Sequence, residues 1–144
     1  MTPLGPEQTD VRWKQRFDNL QRALRQLEAA VQAHQALPDN ELMVIALIKA
    51  YEFCFELSWK TLKDLLAWNG IDAKLPREVI KQAFAHGLLE NGQIWIDMLE
   101  QRNQMTHTYD PAKAEAATRL ITDRYLSELL WLRQSLLQRL EEEP

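Results

Sequence analysis

The sequence predicts an all-α protein, an up-and-down bundle of about five helices. Apolar residues return every three or four positions along most of the 144-residue chain, which is the spacing of a helix stripe. Proline, glycine, asparagine and aspartate stand where those stripes stop and restart. No segment shows the two-residue alternation of a half-buried strand, and short connections between helices favour antiparallel neighbours.

Trp13, Phe17, Leu20, Leu24, Leu27 and Val31 define a first helix from about Val11 to Leu37, ended by Pro38-Asp39-Asn40. Asp39 or Asn40 can cap a second helix that runs from Glu41 through Leu42, Ile45, Ile48, Phe55, Trp59, Leu62 and Leu66 to Asn69-Gly70. These two are expected to pair antiparallel. Pro76 opens a short third helix at its favoured first-turn position, and Gly87 supplies the left-handed residue that closes it. His86, just before that glycine, is placed to meet the last carbonyls. Asn91 caps a fourth helix that buries Trp95, Met98 and Leu99 and reaches Arg102 about three turns in. A fifth begins at Pro111 behind Asp110 and continues through Leu120, Tyr125, Leu129, Leu132 and Leu136.

At 46% hydrophobic content, residues 1–144 are expected to form a single domain with its own core, with residues 1–10 and 141–144 as flexible ends. The net charge of −4 opposes a protein that grips long nucleic acid through many phosphates, so any contact with RNA is expected to be local. Arg12, Lys14, Arg16, Arg22 and Arg25 outnumber Asp18 on the first helix and make it one candidate patch for such contact, although a solvated helix face is the plainer reading. The lone cysteine, Cys54, allows no intramolecular disulfide and too few ligands for structural zinc, which suits a reduced intracellular setting. No window is long and apolar enough to cross a bilayer, and Met1 to Asp10 carries no leader pattern. A soluble, cytoplasmic protein is the expectation.

Arg102-Asn103-Gln104-Met105-Thr106-His107-Thr108-Tyr109 concentrates the chemistry. Arginine stays charged and fits phosphate oxygens with a planar fork, and histidine exchanges protons near neutrality. His107 can take the proton of a ribose 2′-hydroxyl while Arg102 holds the charge that builds on the phosphoryl oxygens, a reaction that calls for no metal or cofactor. In a regular helix an offset of five positions turns about 140° and points the two side chains apart. Either the helix loosens between them, or two copies of the motif face each other across a dimer. Asp110-Pro111 favours a break around Thr108 to Asp110. The plainer alternative is an arginine and a histidine satisfying a helix terminus. Glu56 and Lys60, four apart with the acid first, read as a surface ion pair. The five tryptophans read as core or interface anchors.

The motif and its flanking text resemble the HEPN superfamily, and within it the nucleotidyltransferase substrate-binding proteins or HepT-type toxins of HEPN/MNT modules. The resemblance spans roughly Val11 to Leu136. It rests on Arg102-Asn103 and His107, on Tyr109 two residues later, and on three flanking stretches: Phe55-Glu56-Leu57-Ser58-Trp59-Lys60, Pro76-Arg77-Glu78-Val79-Ile80 and Ile94-Trp95-Ile96-Asp97-Met98-Leu99-Glu100. It implies a helical bundle that forms a homodimer through the motif helices, with a cleft in which Arg102, Asn103 and His107 cleave RNA without metal. Asn103 would orient the phosphate. It also implies a partner, a minimal nucleotidyltransferase (MNT) antitoxin, that transfers AMP from ATP to Tyr109 and silences the nuclease. The alternative within the same resemblance is a non-catalytic substrate-binding subunit of a two-component nucleotidyltransferase. Nothing in the chain resembles the transferase active site, so chemistry on ATP is expected to belong to the partner.

Overall fold

The computed structural model describes residues 5–107 and 110–142, with side chains for all of these except residues 6, 9, 106 and 107. It is helical throughout, with no strand among the described residues. The helices are α1 (Pro6–Ala36), α2 (Glu41–Trp68), α3 (Pro76–Ala85), α4 (Gly92–His107), α5 (Pro111–Leu120) and α6 (Leu126–Glu142). A π-helical turn, Ile121–Tyr125, joins the last two into one rod, so the fifth helix expected from sequence is a single helix with a register change inside it.

The caps follow residue chemistry. Asn40 Oδ1 accepts from the amides of Leu42 (2.9 Å) and Met43 (3.3 Å), and Asp110 Oδ1 from those of Ala112 (2.9 Å) and Lys113 (3.3 Å). Asn91 Oδ1 accepts from Ile94 N at 3.2 Å. Beyond α2 and α3 the chain turns through Gly70 (φ 82°) and Gly87 (φ 76°), a region costly for residues with a Cβ. His86 Nδ1 lies 2.8 Å from Gln82 O, the helix-end contact its position suggested. α1 starts earlier than its apolar stripe, at Pro6, where the fixed φ of proline suits a first turn and Gln8 Oε1 accepts from Gly5 N at 2.9 Å. At the other end of the chain, α6 runs to Glu142.

α2 is the central helix and packs against α1, α3, α4 and α5. α1 lies antiparallel to it: Arg16 meets Asp64 near one end, and a four-residue turn from Leu37 to Asn40 joins the helices at the other. The core joins Trp13, Phe17, Leu24 and Leu27 of α1 to Leu47, Tyr51, Phe55 and Leu62 of α2, and to Trp95 and Met98 of α4. Burying each of the larger side chains contributes on the order of 1.5–3 kcal/mol. Cys54 lies within this core, and burial pushes its thiol pKa up to about 12.

Leu42 and Ile45 depart from expectation, at 72% and 44% exposed. The buried face of α2 runs through Leu47, Ile48, Tyr51, Cys54, Phe55 and Ser58. Leu42 and Ile45 instead begin the opposite face, which continues through Lys49 and Phe53 to Glu56. Both faces carry apolar residues in the first two turns, so periodicity alone selects neither.

Glu128 on α6 shows a cost built into the packing. Burial and the nearby Glu90 carboxylate raise its pKa above the ordinary glutamate range, and the Trp95 indole offsets this only in part. Ionisation is therefore disfavoured in the fold, so this group's contribution to stability is greatest at low pH and falls as pH rises past the unfolded value of about 4.3. Glu128→Gln is expected to raise Tm at pH 7 and to leave it unchanged below about pH 4. A thermal melt at the two pH values that shows the same shift at both would contradict this assignment.

Candidate functional site

α4 is held in the core through Trp95, Met98 and Leu99, and Met105 near its end packs partly against that core. Trp95 is fully buried and meets Phe55 with ring centroids 6.1 Å apart. One turn on, the Tyr51 hydroxyl donates to Met98 O at 2.7 Å, fixing the helical turn that leads to Arg102. Burial raises the Tyr51 pKa well above its ordinary value, so the phenol stays a proton donor. Behind it, Tyr125 stacks on Tyr51 at 5.9 Å and an interplanar angle of 25°. Tyr125 closes the π-helical turn, whose extra residue shifts the register of the rod. On the outer side, Arg77 of α3 reaches Glu100 at 3.4 Å.

Arg102 is the first motif residue beyond this anchor, and its partners among the described residues include Glu56, Asn103 and the Phe55 ring. Its Nη2 donates to Glu56 Oε1 of α2, its Nη1 donates to Asn103 Oδ1 at 2.8 Å, and its guanidinium lies 5.9 Å from the Phe55 ring centre. The ion pair is only partly sheltered, with the Arg102 side chain 22% and the Glu56 side chain 33% exposed. Lys60 Nζ approaches the other Glu56 oxygen at 3.4 Å, so Lys60, Glu56 and Arg102 form one ionic chain from α2 to α4. Glu56 thus does more than the local pairing its spacing suggested.

This arrangement preorganises a planar cation at the surface, with Asn103 exposed beside it, which is a geometry suited to an oxyanion. Arg102 and Asn103 are brought together. The backbone is helical through His107, so it does not loosen between Arg102 and His107, and the offset of about 140° between them persists. The His107 side chain and all of Thr108 and Tyr109 lie outside the described residues.

The model of the family described as nucleotidyltransferase substrate binding protein like matches residues 15–141. The chain belongs to this family. It is 31% identical over 105 residues to a Haemophilus influenzae protein named "Probable ribonuclease HepT", covering 69% of this chain and 71% of that one. It also resembles a crystal structure of a Thermus thermophilus protein, with 28% identity and a TM-score of 0.57 over 79% of this chain and 98% of that one. The family match spans every element that builds the Arg102 site, from α2 to the π-helical turn. Among the described residues of this family member, no helix is long and apolar enough to cross a membrane.

Sequence reasoning named Glu56 without its pairing to Arg102 and missed Tyr51 as a contributor. Their partners are 46 and 47 positions away, and no spacing rule joins residues on different helices.

Proposed function

We propose that the chain is a metal-independent endoribonuclease of the HepT type, active as a homodimer and switched off by AMP transfer to Tyr109. The observation that carries the reading is Arg102, a cation presented at the surface by Glu56 and Asn103 five residues before His107 on the same helix. The relative named as a probable ribonuclease HepT supports it.

Two copies whose α4 helices face each other bring Arg102 of one near His107 of the other, which answers the divergence of about 140° within a single helix. His107 takes the proton from the 2′-hydroxyl, and the 2′-oxygen attacks the neighbouring phosphorus. Arg102 holds the charge on the non-bridging oxygens as the 5′-oxygen leaves and takes a proton from water, and Asn103 orients the phosphate. The products carry a 2′,3′-cyclic phosphate and a 5′-hydroxyl. A separate minimal nucleotidyltransferase supplies the switch: the Tyr109 oxygen displaces pyrophosphate from ATP and keeps the AMP.

Incubation of RNA with unmodified protein in excess EDTA, followed by analysis of the ends, tests the chemistry. Cyclic phosphate ends that form undiminished in EDTA are expected. Ends bearing 3′-hydroxyl and 5′-phosphate would overturn the mechanism, and intact RNA would favour the non-catalytic substrate-binding subunit.

A further inference from the structure

The basic residues of α1 do not share one role. Lys14 pairs with Asp10 at 2.9 Å and Arg22 with Asp18 at 3.1 Å, both local pairs one turn apart along the helix. Arg12 and Arg16 instead turn toward the end of α2 and line a cleft of about 520 Å³ together with Lys60 and Lys63. That volume suits a ligand of nucleotide size. The cleft sets four cations against two carboxylates, Asp64 and Asp72, on a chain whose net charge is −4. Asp64 is 8% exposed and lies 2.8 Å from Arg16 Nε, which anchors that guanidinium in the wall. Among the described residues, Arg12 and Lys63 form no ion pair.

The remaining wall is apolar, with the Trp59 ring and Ile71. The Trp59 indole N–H is buried without a hydrogen-bond partner among the described residues. Lys60 Nζ stands 5.9 Å from the Trp59 ring centre. An aromatic wall under a rim of cations is the pairing that single-stranded nucleic acid uses, stacking for the base and charge for the backbone.

The cleft adjoins the Arg102 site. Lys60 belongs to both, lining the cleft and closing the ionic chain to Arg102 through Glu56. Lys60 and Lys63 follow Glu56 by about 6 and 10 Å along the axis of α2, so a strand whose phosphate sits at Arg102 reaches the cleft with its neighbouring nucleotides.

We propose that this cleft is a second subsite for single-stranded RNA, holding a nucleotide that flanks the scissile bond, with its phosphate on Arg12, Arg16 and Lys63 and its base against Trp59 and Ile71. The proposal rests on the ribonuclease reading for the identity of the strand. It accounts for how an acidic protein holds a polyanion through one local patch.

The test is fluorescence anisotropy of a labelled single-stranded oligoribonucleotide with full-length, unmodified protein carrying His107→Ala, so that binding is read without cutting. Arg12→Ala/Lys63→Ala is compared with Arg22→Ala/Arg25→Ala, which removes the same charge from α1 positions outside the cleft. At about 0.1 M salt the cleft pair is expected to weaken binding about tenfold and to lower the slope of log K against log salt by about 0.7, the value for the one phosphate no longer neutralised. The control pair is expected to stay within about twofold. Equal weakening by both pairs, unchanged binding in the cleft pair, or no binding by the parent protein would overturn the subsite. Displacement of the oligonucleotide by free AMP at comparable affinity would overturn it in favour of a mononucleotide site.

Cleavage by otherwise native protein, measured in parallel, separates the two claims. RNA that is cut while the cleft pair binds normally removes the subsite and leaves the ribonuclease. RNA that binds through the cleft and stays intact does the reverse.

Discussion

His107→Ala is expected to lower RNA cleavage by about two to four orders of magnitude, the usual loss when a positioned general base is removed. Arg102→Ala is expected to cost about two to three, because the charge on the phosphoryl oxygens then has no planar cation to meet it. The double variant should be little worse than either single one, since the two side chains act in one step. Arg102→Lys is expected to recover little, because an ammonium cannot hold Glu56 and Asn103 through separate nitrogens while presenting a flat face. Mixing the inactive Arg102→Ala and His107→Ala proteins under subunit exchange provides the sharper readout. A site built across two copies regains measurable activity, because each mixed dimer contains one intact Arg102/His107 pair. A site within one chain regains none. Failure of complementation, with subunit exchange verified, would remove the shared cleft from the proposal, and full activity in either single variant would remove the residue itself.

The second large effect concerns the switch. When the protein is co-produced with the proposed partner nucleotidyltransferase, intact mass is expected to show added AMP and the nuclease to be silent. Tyr109→Phe is expected to abolish the added mass and to leave a nuclease that the partner cannot silence by this route. The physical basis is charge and bulk: each AMP brings a phosphodiester anion and a nucleoside to a residue seven positions after Arg102 in sequence, and in the proposed mechanism Arg102 receives the substrate phosphate. If the Phe variant still gains AMP, the acceptor is another side chain. If it remains unmodified yet is silenced equally well, the partner inhibits by binding.

Whatever depends on neighbours along the chain was readable in the sequence. Helix identity followed from apolar spacing, and helix ends from the local hydrogen bonding of Asn40, Asn91 and Asp110 and from the glycines that turn the chain at Gly70 and Gly87. The His86 contact with Gln82 O is equally local. The motif was legible because arginine, asparagine and histidine stand in one short run whose residue types suggest phosphoryl chemistry. The match over residues 15–141 bears out the family resemblance.

Which residues from distant segments share a space was settled by packing alone. Glu56 became the partner of Arg102 and Tyr51 the donor to Met98 O only when α2 and α4 packed together. Leu42 and Ile45 took the outer face because the packed helices cover the other side of α2. The register change at Ile121–Tyr125 had no local signal, since an extra residue in a helix leaves the apolar spacing nearly intact. The first helix's basic residues looked alike in sequence. Only the antiparallel pairing of α1 and α2 set Arg12 and Arg16 beside Lys60, Lys63 and Trp59 and left Lys14 and Arg22 to their own local carboxylates. Local chemistry chooses a residue's conformation, but packing chooses its company.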